Sequence, residues 1–413
     1  MTDKSREAVL AAIDATHQEQ VRFLAELIKI PADNPPGDCN PHAERAAELL
    51  RALAFAVETH GIPNELARAR GMISASNLVV RERFGEGPTI ALNANGDAVR
   101  PGEGWTVSAY GAQIRDGAMY GRGAAWAKSD FATFAFALKA LKSCNAKVRG
   151  TVELHFTYDE EVGGEIGPKW LLDQGLTQPD FAIVSAFSYS VLTSHNGCLH
   201  LEVTIRGKSA HAMAPNEGDD ALEAATTVLR ALYKHRKTYT KQKSSVPGIQ
   251  SPTLNIGLIS GGINTNVVPD RITFTIDRRM IPEEDPKEVE AAVREVIGKA
   301  AAKHRGISCA IRCTMLARPL TSLPGQEILV KAIQRNARSV FGEDLQANGM
   351  PIYTDARHYG AAGIPTVLYG AGPRTMEEAG VHMADEHVRL DDVLRATKVI
   401  ALTLMDVLGT DEI

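Results

Sequence analysis

The sequence predicts an α/β protein in which a catalytic-type domain, with a mixed sheet flanked by helices, is interrupted by a smaller α+β domain. Strand-like and helix-like segments alternate through residues 1–197. From Cys198 the order becomes strand, helix, two strands, helix, strand, and near Leu320 the α/β alternation resumes. The middle pattern is typical of a four-stranded sheet with two helices on one face. We therefore expect one domain over 1–197 and 315–413, and an inserted domain over 198–314 that acts in dimerisation or as a lid.

In the larger domain, apolar residues at helical spacing predict a first helix over residues 5–30. The Pro-rich stretch 31–37 ends it. The next predicted elements are a helix over 42–55, strands over 75–82 and 89–94, a helix over 125–142, a strand over 151–157 and a helix over 167–174.

In the inserted domain, alternating apolar residues predict strands and amphipathic runs predict helices. The predicted elements are a strand over 199–205, a helix over 220–234, strands over 253–259 and 271–277, a helix over 286–304 and a strand over 307–314. Such an insertion is tolerated where the two ends of the inserted unit lie close together.

Composition excludes several classes of function. The chain has 413 residues, 44% of them hydrophobic, and a formal net charge of -5, so it can bury a large core. Lysine and arginine are dispersed, which argues against nucleic-acid binding. No segment approaches the roughly 20 apolar residues that span a bilayer. The charged N-terminus and five scattered cysteines favour a cytoplasmic protein with reduced thiols.

One motif stands at the end of the strand predicted over 151–157. There Asp159, Glu160 and Glu161 follow one another and precede two glycines. Adjacent carboxylates are costly to crowd together unless a cation or a catalytic proton requires them. An isolated acidic triplet is more often a solvated loop, so the remaining motifs decide its meaning.

Further stretches accompany this motif in a fixed order. They are residues 93–99, Trp105, 120–124, 207–211, 261–269, 277–282, 354–357 and 381–386. Together they resemble the dizinc peptidase family of aminoacylases, glutamate carboxypeptidases, acetylornithine deacetylases and succinyl-diaminopimelate desuccinylases. The resemblance extends from about residue 10 to 410. It implies a hydrolase that acts on a C–N bond of a small carboxylate-bearing amide or amine.

The resemblance also implies where zinc ligands would lie. Asn95 stands where the family has its first histidine, Trp126 where it has the bridging aspartate, and Ala186 where it has a later acid. Glu161 and His382 match ligand positions that are kept. Zinc sites need three or four nitrogen, sulfur or carboxylate donors. We therefore predict that the two-zinc centre is absent, with at most one divalent ion, zinc or manganese, or none.

The acid–base residues are retained. The resemblance assigns Glu160 as the general base, with Asp97 beside it. Without a cation, crowded acids raise each other's pKa, so one of them can donate as well as accept a proton. Asp130, one helical turn after Trp126, could join Glu161 and His382 around a single metal ion. The alternative is an ordinary acid in the first turn of a helix.

The resemblance assigns substrate-binding residues too. His211 of the inserted domain would reach across a homodimer interface and stabilise the oxyanion, and Asn266 and Arg279 would hold the carboxylate of a small anionic substrate. Asn266 could instead shape a turn, and Arg279 could pair with Asp277. Gly370 lies in a glycine-rich loop expected to approach the substrate. Asn95 and Trp126 are expected to face the same pocket.

Two other functions stay open. One is a metal-free, non-hydrolytic enzyme that uses the same pocket, and the other is a non-catalytic protein that binds a small molecule. Cys198 and His200 lie two residues apart and could form a nucleophile pair, although two neighbouring positions of a strand are the simpler interpretation.

Overall fold

A computed structural model of the protein describes residues 3–409. The chain forms two compact units. The first contains the described parts of Met1–Thr193, Ser322–Asn348 and Thr354–Ile413, and the second contains Ser194–Thr321 and Gly349–Tyr353. The predicted insertion, 198–314, lies inside the second unit, which also takes in the short return at 349–353.

The helices are α1 (Asp3–Ile28), α2 (Asn40–Ala52), α3 (Asn64–Ala69), α4 (Ser129–Ser143), α5 (Pro168–Asp173), α6 (Ala221–Arg236), α7 (Pro286–Ala301), α8 (Gln326–Phe341), α9 (Ala356–Ala361) and α10 (Leu390–Leu408). The strands are β1 (Val57–Gly61), β2 (Ser76–Arg83), β3 (Thr89–Asn95), β4 (Gln113–Arg115), β5 (Ala118–Tyr120), β6 (Thr151–Thr157), β7 (Phe181–Val184), β8 (Ser190–His195), β9 (Gly197–Arg206), β10 (Thr253–Gly261), β11 (Arg271–Met280), β12 (Ser308–Ala317), β13 (Gln346–Met350), β14 (Thr366–Leu368) and β15 (His387–Arg389). In the part of the chain that is described, no helix is both long and apolar enough to cross a membrane.

The first unit is built on an eight-stranded mixed sheet in the order β1-β2-β6-β3-β7-β14-β8-β13. The neighbours β6, β3, β7 and β14 run parallel, whereas β1, β2 and β8 pair antiparallel. Parallel strands covered on both faces are apolar throughout, and β3 and β6 are buried almost from end to end. Helix α4 packs against β3 and β6, and α9 packs against β7 and β14. The predicted mixed sheet flanked by helices is confirmed.

A small antiparallel sheet, β15-β5-β4, lies in the same unit. His387 of β15 pairs with Tyr120 at the end of β5. This pairing brings the chain around Glu386 next to the turn that follows Tyr120, where the candidate site begins.

The second unit is a four-stranded antiparallel sheet in the order β10-β11-β9-β12. Alternate residues of its central strands, such as Leu201 of β9 and Phe274 of β11, pack against α6 and α7 on one face. The side chains of Asp220 and Asp285 cap these helices by accepting backbone N–H bonds. The predicted order of strand, helix, two strands, helix and strand is confirmed.

One predicted element begins later than expected. The helix predicted over 125–142 starts at Ser129, after an irregular turn over Ala124–Lys128. Trp126 has extended backbone angles there, φ -150° and ψ 111°. The expectation that Trp126 opens the helix is therefore wrong, because its N–H and that of Ala125 donate to the carboxylate of Glu386 instead of entering a helix.

Candidate functional site

The acidic turn lies at the carboxyl ends of two neighbouring parallel strands. Asn95 ends β3 directly beside Thr157, which ends β6. Just beyond, Asp97 accepts the backbone N–H groups of Glu160 (3.3 Å) and Glu161 (3.2 Å). The side-chain carboxylate of Asp97 thus fixes the turn that carries the two glutamates. Ligand sites of α/β sheets characteristically lie beyond this edge of the sheet.

The carboxyl groups of this turn are crowded and buried. Burial raises the pKa of Glu160 well above its usual value, and the nearby Glu161 and Asp355 raise it further. Burial likewise raises the pKa of Asp355 to about 7 and, together with Glu161, that of Asp97 to about 6. Arg357 counteracts the shift at Glu160 and at Asp355. Near neutral pH the cluster therefore contains carboxyl groups able to gain or release a proton.

Three residues stand at positions where the resemblance would place further zinc ligands. Asn95 turns its amide N–H₂ group toward Asp97, donating to the backbone oxygen at 3.2 Å. The half-buried ring of Trp126 packs on Phe187, with centroids 5.2 Å apart. Ala186 is buried and offers no side-chain donor. These three side chains do not fit a two-zinc centre.

Glu161 and His382, the two residues that the resemblance matches to zinc ligands, lie side by side. His382 Nε2 is 3.5 Å from Glu161 Oε1, and this hydrogen bond raises the pKa of His382. In the described part of the first unit, no three His, Cys, Asp or Glu side chains have ligand atoms that all lie within 4.8 Å of one another. Glu161 with His382 is the pair in this region that could share a single ion.

The expectation that Asp130 completes a metal site with Glu161 and His382 is wrong. Asp130 is buried on α4 and accepts the backbone N–H of Ala371 at 2.7 Å. A side chain at Gly370 would overlap the same carboxylate. Because helix α4 begins after the irregular turn, Asp130 is directed to the Gly370–Ala371 loop, which it holds against the sheet.

A buried lysine that was not predicted from the sequence lies close to the site. Lys128 is fully buried, and burial lowers its pKa to about 8, while Glu386, Asp33 and Asp97 oppose this shift. Its Nζ lies 3.4 Å from the backbone oxygen of Ile30. A lysine within an alanine-rich, apolar segment was the signal that could have identified it. Its charge partly offsets the excess of carboxyl groups.

A buried ion pair was missed as well. Arg122 Nη1 lies 2.5 Å from Glu386 Oε2, and both side chains are only 1% exposed. Burial raises the pKa of Glu386, and Arg122 offsets this in part. The second carboxylate oxygen of Glu386 accepts the N–H of Ala125 at 3.1 Å and that of Trp126 at 3.4 Å. The pair thereby sets the conformation of the turn that carries Trp126.

The remaining predicted residues belong to the second unit. His211 is exposed and pairs with Val267, and the N–H of Ala212 donates to the Asn266 backbone oxygen at 3.0 Å. The structure thus places His211 and Asn266 on neighbouring segments. Arg279 lies near the opposite end of the sheet from these two residues. It is close to the C-terminal end of β11, about 26 Å from Arg271 at the start of the strand.

Arg279 has a partner within its own strand and also faces a cavity. Its Nε donates to Asp277 Oδ1 at 2.9 Å, so the alternative that it pairs with Asp277 describes this structure. A cavity of about 430 Å³ in the second unit is lined by Arg279, Asn196 and Gln250, together with Gly248, Ser251, Thr253 and Pro351. Its cationic and amide lining suits an anionic ligand.

Comparison with known proteins assigns the family. Residues 91–406 match the profile of peptidase family M20/M25/M40. The chain is 24% identical over 404 residues to a probable succinyl-diaminopimelate desuccinylase of Staphylococcus epidermidis, covering 91% of this chain and 94% of that protein. It is 25% identical over 425 residues to an N-formyl-4-amino-5-aminomethyl-2-methylpyrimidine deformylase of Halalkalibacterium halodurans, covering 95% of each.

A solved structure shows the same fold. The dipeptidase Dug1p of Saccharomyces cerevisiae matches with a TM-score of 0.77 at 15% identity, and all of both chains is covered. The resemblance inferred from the motifs is confirmed, and so is the prediction of an enzyme of the amidohydrolase and peptidase type. Because the matched profile covers most of the sequence, this chain belongs to peptidase family M20/M25/M40.

Proposed function

We propose that this protein hydrolyses a C–N bond in a small carboxylate-bearing amide or amine without the two-zinc centre of its relatives. The observation that carries the proposal is the acidic turn. Glu160 is buried in a turn whose backbone is bound by Asp97, while three former ligand positions hold side chains unsuited to zinc. The residue to which we assign proton transfer is thus present, whereas three of the five ligand positions implied by the resemblance hold other residues.

The chemistry assigned to Glu160 is proton transfer. Amide hydrolysis requires a group that takes a proton from the attacking water and delivers one to the leaving nitrogen. Glu160 is the carboxyl that the turn holds for this purpose, and Asp97 is a positioning residue because it binds the turn through two backbone N–H groups. Arg357 and Lys128 supply positive charge to the surrounding carboxyl cluster.

A single divalent ion, zinc or manganese, is compatible with this proposal. Glu161 and His382, 3.5 Å apart, are the residues that we assign to it. Two protein donors are fewer than an ordinary zinc site uses, which supports at most one weakly held ion.

Substrate recognition is assigned to the second unit. We propose that Arg279 of one copy and Asn266 of a second copy recognise the substrate carboxylate, and that His211, on the segment next to Asn266, stabilises the oxyanion. A second copy of the chain is the proposed partner of the edge strand β10. That strand exposes Leu258 and Ile259, and Ile263 follows it, with exposures of 70%, 54% and 80%. An apolar edge strand is prone to pair with another copy, and sedimentation analysis of the purified chain would reveal the dimer.

The test uses the full chain purified without chelators, assayed on N-acetyl, N-succinyl and N-formyl amino acids and on dipeptides. Glu160→Gln should lower kcat/KM by about 10²- to 10⁴-fold on any substrate that the wild type cleaves, since that is the usual contribution of a general acid–base group. Glu165→Gln, a partly exposed glutamate that pairs with Arg70 and Lys169, is the matched control and should leave turnover unchanged.

Metal content decides between the proposal and its rivals. We expect that at most one divalent ion per chain depends on Glu161 and His382, as measured by elemental analysis of the wild type and of a variant in which both residues are replaced by glutamine. Two bound zinc ions that are required for turnover would contradict the altered centre. Turnover by the Glu160→Gln variant at the wild-type rate would contradict the assigned role. Tight binding of a carboxylate ligand without cleavage of any substrate would favour the non-catalytic alternative.

A further inference from the structure

A second group of potential metal donors lies in the four-stranded sheet, apart from the acidic turn. Cys198, His200 and Asp277 bring a sulfur, an imidazole nitrogen and a carboxylate oxygen within 4.8 Å of one another. His200 Nε2 is 3.3 Å from Asp277 Oδ2, and Cys198 Sγ is 3.8 Å from Asp277 Oδ1. Among the described residues, 3–409, no other group of three His, Cys, Asp or Glu side chains has ligand atoms this close together.

The sheet itself builds this cluster. Cys198 and His200 are two residues apart on β9, so their side chains lie on the same face. Asp277 is directly opposite His200 on the neighbouring strand β11. The apolar residues of both strands that pack against α6 and α7 point to the other face. All three donors are therefore held by paired central strands rather than by loops, which limits how far they can move apart.

Two donor distances in this cluster are close to those of tetrahedral coordination. With zinc bonds of about 2.0 Å to oxygen and nitrogen and about 2.3 Å to sulfur, tetrahedral ligands lie about 3.3 Å apart for nitrogen and oxygen and about 3.5 Å apart for sulfur and oxygen. The corresponding distances in the structure are 3.3 Å and 3.8 Å. Because the nitrogen and the sulfur lie near different oxygens of Asp277, closing the site requires a rotation of this carboxylate or its coordination through both oxygens.

The surroundings supply the other features of a metal site. Arg279 donates hydrogen bonds to both oxygens of Asp277, which orients the carboxylate as outer partners of metal ligands do. Cys198 is buried, whereas the side chains of His200 and Asp277 are 34% and 32% exposed. An ion bound here would have three protein ligands and one side open to water or a small ligand, as in zinc sites with an open position.

We propose that Cys198, His200 and Asp277 form a binding site for one divalent transition-metal ion of the zinc type. Nitrogen and sulfur donors select such ions over magnesium and calcium, which prefer oxygen. On binding, the Cys198 thiol releases its proton to solvent and coordinates as the thiolate. This site is independent of the ion assigned to Glu161 and His382, whose donors include no sulfur.

Cobalt(II) titration of the full chain tests the proposal, because a thiolate ligand gives cobalt an ultraviolet charge-transfer band that carboxylate and imidazole ligands do not. We expect the band to saturate at one ion per chain and to be reversed by zinc. Cys198→Ser should abolish the band. His200→Gln should weaken cobalt binding by more than the roughly 10- to 100-fold that loss of an outer partner costs.

Cys313→Ser is the matched control, because Cys313 belongs to the same sheet but packs toward its helices. It should bind cobalt as the wild type does. Circular dichroism of each variant reports whether the sheet is intact, and His200→Gln serves as the second readout because its side chain is partly exposed. Absence of the band in the wild type, or its persistence in Cys198→Ser, would overturn the proposal and leave an ordinary His–Asp–Arg surface cluster.

Discussion

Replacing Glu386 by glutamine tests the buried ion pair that shapes the Trp126 turn. The change keeps an oxygen that can accept the N–H groups of Ala125 and Trp126, but it removes the charge opposite Arg122. Both side chains of the pair are 1% exposed, so water cannot replace the lost partner. Breaking a buried pair from one side costs about 3–5 kcal/mol. Arg122 Nη2 keeps its bonds to the backbone oxygens of Pro101 and Met383, which places the expected loss near the lower end, about 3 kcal/mol.

The measurement is urea unfolding at neutral pH, followed by circular dichroism. Glu343→Gln is the matched control, because it removes the same charge from an ion pair at the surface. Glu343 pairs with Arg374, and the two side chains are 41% and 52% exposed. Exposed pairs contribute about 1 kcal/mol or less. Salt should weaken the exposed pair and leave the buried one nearly unchanged. The reasoning is refuted if the two variants lose the same free energy of unfolding.

Two further substitutions probe the polar interior of the first unit. Burial opposes ionisation of Glu153, but hydrogen bonds, that from His155 foremost, outweigh it and lower its pKa from 4.5 to about 2. This depressed pKa stabilises the fold by about 3 kcal/mol above pH 4.5, and the contribution is lost as pH falls toward 2. Glu153→Gln should therefore be less stable than the wild type at neutral pH and equal to it near pH 2; a difference that does not change with pH would contradict this. Gly370→Ala would push a methyl group into the Asp130 carboxylate and should cost about 1–3 kcal/mol by thermal unfolding. Gly298→Ala, in open space on α7, should instead stabilise by up to about 1 kcal/mol, and equal effects of the two substitutions would refute the packing argument.

Most of the fold could be predicted because local patterns and tertiary contacts agree. The strand predicted over 151–157 is found at those residues, since its apolar run is bounded by glycine and by the acidic turn. The turn over Ala124–Lys128 could not be predicted, because its alanine-rich sequence favours a helix. Its conformation depends on Glu386, which follows Trp126 by 260 residues. A contact at that separation leaves no local pattern.

The candidate site shows the same division. The order of the motifs identified Glu160, Glu161 and Asp97, and in the structure Asp97 binds the turn that carries the two glutamates. Lys128 and the Arg122–Glu386 pair were missed, because a charged residue in a sequence is normally a surface residue. Asp130 was misassigned for a related reason. Its direction depends on where α4 begins, and that is decided by the irregular turn before it.

The division of the chain has a practical consequence for dissecting the protein. The polypeptide passes between the two compact units four times, at 193/194, 321/322, 348/349 and 353/354. A protease that cuts one of these junctions divides the chain into two fragments, and both fragments contribute residues to the first unit, so only noncovalent contacts hold them together. Removing 194–321 alone also leaves five residues of the second unit, 349–353, within the truncated first unit. Expressing the first unit separately therefore requires two excisions, and expressing the second requires removal of both flanking segments and of 322–348.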